Sequence, residues 1–255
     1  MTDWGSGDLM ARPPVDRVRV VDGPDELAEA AARAAVADLE AAIEAHGTAT
    51  WVLTGGSTPG AAYRRLAAHD LRAGVEWDRV RVAMGDERCV PVEDPESNWG
   101  QAAAALLDHV PVPDHQLLRP PVELGAEAAA DAYQATLAAL PATGGRPRLE
   151  VVWLGVGEDG HCLSLFPGHP EVEVADRLVV PVHHSPKPPR DRLSLTLAAL
   201  AGAERLLVLA AGPGKADAVA RARAGDDRLP VTRAVAAVRA AGGEVGWLLD
   251  RAAAA

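Results

Sequence analysis

The stretch Thr50-Trp51-Val52-Leu53-Thr54-Gly55-Gly56-Ser57-Thr58-Pro59 passes from an apolar, β-rich run into a glycine-rich turn, and Gly60 to Ala68 then reads as a helix. A strand handing over to a helix through a short turn is half of a βαβ unit, and the pattern recurs on both sides of it. Upstream, Arg17–Val21 alternates like a strand. Asp22-Gly23-Pro24-Asp25-Glu26 then opens a helix with acids in its first turn and an apolar stripe at Leu27, Ala31, Ala35, Leu39 and Ile43. Downstream, strands are expected at Val80–Met84, Leu149–Leu154, Leu178–Val182, Leu193–Leu197, Arg205–Ala210 and Val245–Leu249. Helices are expected at Asn98–Leu107, Gly125–Leu140, Pro213–Ala224 and Val231–Ala240, with a polar loop at Gly85–Ser97. Such alternation predicts an α/β fold: a single-domain, mostly parallel, Rossmann-like sheet with helices on both faces. No repeat interrupts it, so residues 1–255 are read as one domain, with 1–16 and 252–255 as flexible ends.

The 255 residues suffice to bury a core without a disulfide or metal staple. Hydrophobic residues make up 48% and charged residues 24%, which excludes a disordered chain. With 25 basic against 36 acidic residues the net charge is −11, which argues against nucleic acid or an anionic membrane as a partner. No basic segment followed by an apolar one opens the chain, and the longest apolar run near the C-terminal third, Leu206–Ala211, is too short to span a bilayer. Two cysteines, Cys89 and Cys162, make no disulfide framework, and a reduced, cytoplasmic protein is expected. Basic residues are almost all arginine; the only lysines are Lys187 and Lys215.

In open parallel sheets ligands bind beyond the carboxyl ends of the strands, and four loops here follow strands. Gly55–Pro59 suits a phosphate cradle at a helix start, through Gly56, Ser57 and Thr58, although an ordinary N-cap explains the same residues. Asp86-Glu87-Arg88 places three charges after a strand. Asp86 or Glu87 is expected to orient Arg88 toward an oxyanion; a solvated loop with a surface ion pair is the alternative. Gly155-Val156-Gly157-Glu158-Asp159-Gly160-His161 matches G-x-G-x-x-G only formally, because Pro167 and Pro170 interrupt the next segment, where a helix would have to run. Its more telling feature is His161 two residues after Asp159, a candidate general base or a hydrogen-bonded structural histidine. Lys187, Arg192 and Lys215 fall in two basic pieces further along. Adjacent His183 and His184 would point opposite ways in a strand, and no metal-binding spacing is present. Cys162 beside His161 is a poor nucleophile–base pair, since such partners are usually distant in sequence.

Five segments stand in sequence order: Thr54–Pro59; Asp86–Arg88 with Ser97-Asn98; Gly155–His161 with Ser164-Leu165-Phe166-Pro167; Ser185–Pro189 with Arg192; and Gly214-Lys215. Together they resemble the glucosamine-6-phosphate isomerase/6-phosphogluconolactonase family, on the lactonase side, from roughly Thr50 to Asp250. The chain departs at Cys162 and Leu163, where the family usually has Thr and Ala, and Gly85 is less usual before the acidic pair. Arg88 and Ser164–Pro167 favour a lactonase over the glucosamine-6-phosphate deaminases of the same fold. The alternatives are a deaminase-like isomerase and a non-catalytic sugar-phosphate-binding module, although regulators of that kind carry a DNA-binding helix-turn-helix for which this chain leaves no room.

The resemblance implies hydrolysis of 6-phospho-D-glucono-1,5-lactone to 6-phosphogluconate, with no metal and no organic cofactor. It implies that His161 activates water, with Asp159 orienting it, and that Arg88, held by Asp86, faces the oxyanion. Gly56, Ser57, Thr58, Lys215, Arg192 and Lys187 are then the expected phosphate-binding residues. The expected partner is the small-molecule lactone alone, acted on by a monomer or weak homo-oligomer.

Overall fold

A computed structural model describes residues 18–255. In chain order the elements are β1 (Val18–Val21), α1 (Pro24–His46), β2 (Ala49–Leu53), α2 (Ser57–Leu66), α3 (His69–Arg72), β3 (Val80–Met84), β4 (Asp86–Arg88), α4 (Asn98–Ala105), β5 (Leu117–Leu118) and α5 (Ala126–Ala138). They continue with β6 (Ala142–Thr143), β7 (Arg146–Pro147), β8 (Leu149–Gly155), β9 (Val179–Val182), β10 (Arg192–Leu195), α6 (Leu197–Leu200), β11 (Ala203–Ala210), α7 (Ala216–Arg223), α8 (Pro230–Ala240) and β12 (Glu244–Asp250). Seven strands form one sheet in the order β1-β12-β11-β8-β2-β3-β5, and every pairing in it is parallel.

The strands read as continuous apolar runs because both faces of the sheet are covered. Along β8, Val151 and Trp153 join the core beneath α1, α2 and α4, while Val152 and Leu154 join the core beneath α5 and α8. β11 divides the same way, Leu207 and Leu209 to one side, Leu206 and Val208 to the other. α1 follows from its local chemistry: Pro24 in the first turn, Asp25 and Glu26 at the positive end of the helix dipole, and Gly47 closing it at φ 78°. All five residues of its expected stripe are buried.

Two tyrosines fix the strand ends from which the site grows. Tyr63 of α2 donates its hydroxyl to the Thr54 carbonyl (2.9 Å) and accepts from the Thr54 N–H (3.0 Å), just past β2. Tyr133 of α5, on the opposite face, makes the same pair of bonds to Met84 at the end of β3 (2.9 and 2.8 Å). Both phenols are fully buried, and burial pushes each well above its ordinary pKa. Each therefore stays protonated and keeps a donor for its carbonyl.

Several expectations are corrected. The segments near Leu178 and Leu193 do not extend the main sheet: β4, β10 and β9 form a separate antiparallel sheet in that order. The Gly85–Ser97 loop thus contains a strand, because Asp86–Arg88 pairs with Arg192–Ser194. The strand expected to reach Leu197 stops at Leu195, since Thr196 caps α6 by accepting from the Ala199 N–H. Last, Ala252–Ala255 is not a frayed end: Ala253 is buried, and the Asp250 carboxylate accepts its N–H at 2.8 Å. The N-terminal end expected at 1–16 lies outside the described residues.

Candidate active site

At the carboxyl ends of β2, β8 and β11, beside β4, lies a cavity of about 290 Å³. Gly56, Asp86, Arg88, His161, Lys187, Arg192 and Lys215 line it, together with Asn98 and Leu163. Seven of the expected site residues therefore converge from five segments far apart in sequence. Ser57, Thr58 and Asp159 do not line it. Neither hydroxyl of the Gly-Gly-Ser-Thr turn caps α2; the helix simply begins at Ser57 after Gly56, at φ 113°. What this turn offers a ligand is the free N–H groups of a first helical turn.

His161 is held by its own loop. The Gly157 N–H donates to the His161 carbonyl (2.8 Å), and the Gly160 N–H donates back to the Gly157 carbonyl (2.9 Å). A Cβ on residue 157 would lie 1.9 Å from His161 Nδ1 and 2.5 Å from an Asp159 oxygen, so the imidazole lies where only glycine leaves room. Asp159 Oδ1 accepts the Nδ1–H at 2.5 Å, and the imidazole packs on Phe166 with ring centroids 4.7 Å apart. Hydrogen bonding to His161 holds the Asp159 carboxyl well below the usual carboxylate range, so it stays ionised. An ionised Asp159 sets the orientation of the ring: the Nδ1–H faces the carboxylate, and Nε2 is the nitrogen left for a ligand. Gly157 and Phe166 lie in segments that the sequence singles out, but their contact with the imidazole is not legible there.

β4 divides its three charges between its two sides. Asp86 and Arg88 line the cavity, but they do not hold each other. Asp86 accepts from the Ser164 hydroxyl (2.7 Å) and, at 3.4 Å, from the Asn98 amide. Arg88 Nη1 donates to the Glu96 carbonyl at 2.6 Å, and its Nε is buried without a partner. Between them Glu87 turns away and caps α4. Its carboxylate accepts the N–H groups of Asn98 (2.7 Å) and Trp99 (2.6 Å), and that of Arg88 (2.7 Å). Burial pushes the Glu87 carboxyl up, against the pull of those three donors. Asp86 as the residue holding Arg88 is therefore replaced by Glu96, further along the same loop.

Lys215 follows Gly212-Pro213-Gly214 in a 3₁₀ turn, the first part of the segment expected to be α-helical, and α7 begins only at Ala216. The Asp250 carboxylate accepts the Gly212 N–H (3.0 Å to each oxygen) and so anchors that turn. Burial lowers the Lys215 pKa, Glu158 raises it and the neighbouring Lys187 lowers it further. Lys187 and Lys215 both line the cavity, so two lysine side chains border it. Arg192 differs from both: it is 4% exposed, and its guanidinium donates to the carbonyls of Lys187 (3.0 Å), Pro188 (3.1 Å) and Pro189 (2.9 Å). Cys162 is fully buried and its thiol is pushed up by desolvation, which removes the thiolate reading. Among the described residues no three His, Cys, Asp or Glu side chains are grouped to hold a metal ion.

The profile of a family described as glucosamine-6-phosphate isomerases/6-phosphogluconolactonase matches residues 22–247. The chain belongs to this family. Its members include a 6-phosphogluconolactonase of Mycobacterium tuberculosis, 42% identical over 93% of this chain and 97% of that protein, and one of Streptomyces coelicolor, 42% identical over 89% of each. The solved 6-phosphogluconolactonase of Trypanosoma brucei is 31% identical and superposes with a TM-score of 0.81, covering 96% of this chain and 98% of that one. A monomeric glucosamine-6-phosphate deaminase, 21% identical with a TM-score of 0.76, shares the fold of the family.

Proposed function

We propose that this protein is a metal-independent 6-phosphogluconolactonase, hydrolysing 6-phospho-D-glucono-1,5-lactone to 6-phosphogluconate in the pentose phosphate pathway. One observation carries the mechanism: an imidazole whose Nδ1 is tied to Asp159 and whose Nε2 is left as the base stands in the same cavity as Lys187 and Lys215. His161 Nε2 takes a proton from water, and the hydroxide adds to the lactone carbonyl. The tetrahedral oxyanion faces Arg88, which lines the cavity and keeps guanidinium N–H donors beyond the one given to the Glu96 carbonyl. Collapse breaks the bond to the ring oxygen, which takes the proton back from the imidazolium. Asp159 stabilises that imidazolium while it exists, without itself being protonated.

The phosphate does no chemistry and positions the carbonyl. Lys215, Lys187 and the first-turn N–H groups at Gly56–Thr58 grip it. Asp86, fixed by Ser164 and Asn98, accepts a hydroxyl of the sugar ring. Every group comes from one chain, so a monomer suffices. Both cysteines are free, in keeping with a cytoplasmic enzyme, and among the described residues no helix is long and apolar enough to cross a membrane. The test is a direct assay of lactone hydrolysis with glucosamine-6-phosphate deamination run in parallel. Hydrolysis without deamination is expected; deamination alone would overturn the reading.

A further inference from the structure

Arg192 carries a charge suited to a phosphate, yet it is built into the protein like a strut. Nε donates to the Pro189 carbonyl (2.9 Å), and Nη2 to those of Lys187 (3.0 Å) and Pro188 (3.1 Å). Nη1 reaches the Ser164 hydroxyl at 3.4 Å. The Ser164 hydroxyl in turn donates to the Asp86 carboxylate at 2.7 Å. The guanidinium carbon also stands 5.8 Å from the centre of the Phe166 ring, on which His161 packs. Burial, the leading influence on this group, lowers its pKa.

A guanidinium has five N–H donors in a rigid fork, and here four of them are spent on protein acceptors. A lysine ammonium has three donors on one atom and cannot bridge acceptors spread this widely. We propose that Arg192 is a positioning residue that fixes the Lys187–Pro189 strap against the Ser164–Asp86 pair, setting the two walls of the cavity at their working distance. It acts through Lys187 on the phosphate end and through Ser164 on the sugar end. This role replaces direct phosphate binding, for which charge alone would be enough. The inference rests on the proposed site, in which Asp86 and His161 face the lactone.

The experiment measures kcat and KM separately on the full chain for Arg192→Lys, Arg192→Gln, Ser164→Ala and the Arg192→Lys/Ser164→Ala double variant. A displacement of about 1 Å at a reacting centre costs on the order of 100-fold. Both Arg192 variants are therefore expected to lose roughly 10- to 100-fold in kcat, the lysine no better than the glutamine. Ser164→Ala loses about three- to tenfold in kcat. The double variant loses less than the product of the two single losses, because one relay is cut twice. Wild-type kcat in Arg192→Lys with only KM raised overturns the proposal and makes Arg192 a phosphate ligand. Wild-type kcat in Ser164→Ala also overturns it, and decides the matter alone if the Arg192 variants fail to fold. His161→Ala serves as the separate control: wild-type turnover there removes the proposed site itself, whatever Arg192 does.

Discussion

Leu163 Cδ2 occupies the space that a Cβ on Gly85 would need, 2.6 Å from it. The two residues lie far apart in sequence, on separate loops that meet in the fold. Leu163 is also the only described residue other than glycine with a positive φ, 54°. That backbone turn lets the leucine pack down on Gly85 while Ser164 faces Asp86. Gly85→Ala is accordingly expected to cost about 1–3 kcal/mol of stability by overpacking, read from urea unfolding. Adding Leu163→Ala should return part of that loss, a coupling that a double-mutant cycle measures. Strict additivity would mean that the two sites do not share the space.

Catalysis should depend on the histidine loop. Asp159 is held well below the usual carboxylate range, so its grip on His161 persists through mildly acidic pH and its own titration adds no limb to the profile there. Asp159→Asn removes that anion, so kcat should fall while the fold persists. His161→Ala should lose on the order of 10²–10⁴-fold in kcat, with the fold intact by circular dichroism.

Lys215 governs the alkaline side. Its pKa is lowered by burial, so in the free enzyme its charge is lost, as pH rises, earlier than for an ordinary lysine. A profile of kcat/KM should therefore fall on the alkaline side, and Lys215→Ala should abolish that fall. The substitution should raise KM by roughly tenfold to a hundredfold, the range of a lost charge-assisted contact worth about 1.5–3 kcal/mol, and leave kcat within a few-fold. A loss in kcat alone would separate Lys215 from phosphate binding.

The cysteines should be silent. Cys162 is inaccessible, and burial, aided by nearby carboxylates, pushes the Cys89 thiol up to about 11. Iodoacetamide at about pH 7.5, where such thiols remain protonated, should leave turnover unchanged. Rapid inactivation would revive thiol chemistry.

Much of this architecture is legible in the chain itself. The stripe of α1 and the apolar run of β11 are local signals, and the strand–turn–helix at Thr50–Leu66 orients the whole sheet. Loops that leave parallel strands must meet at one rim, which is why His161, Lys215 and Asp86 can be grouped from their order alone. The features that escape local reasoning depend on partners. Asp86–Arg88 is too polar to read as a strand; it becomes one by pairing with β10 and by Glu87 capping α4. Adjacency suggests that Asp86 holds Arg88, but the strand sends each side chain to a different partner. Arg192 resembles a ligand by charge, and only the path of the Lys187–Pro189 backbone reveals its commitments. The alanine-rich end reads as frayed until Asp250 supplies its cap.

All seven strands of the main sheet run the same way, so the loops that line the cavity gather at one rim and the opposite rim carries the amino ends of the strands. The exposed hairpin β6–β7, with Gly144 and Gly145 at its tip, precedes β8 and therefore lies at that far rim. A reporter peptide spliced between those two glycines should ride on the enzyme without touching its turnover, which makes this hairpin the natural handle for tethering the protein to a surface.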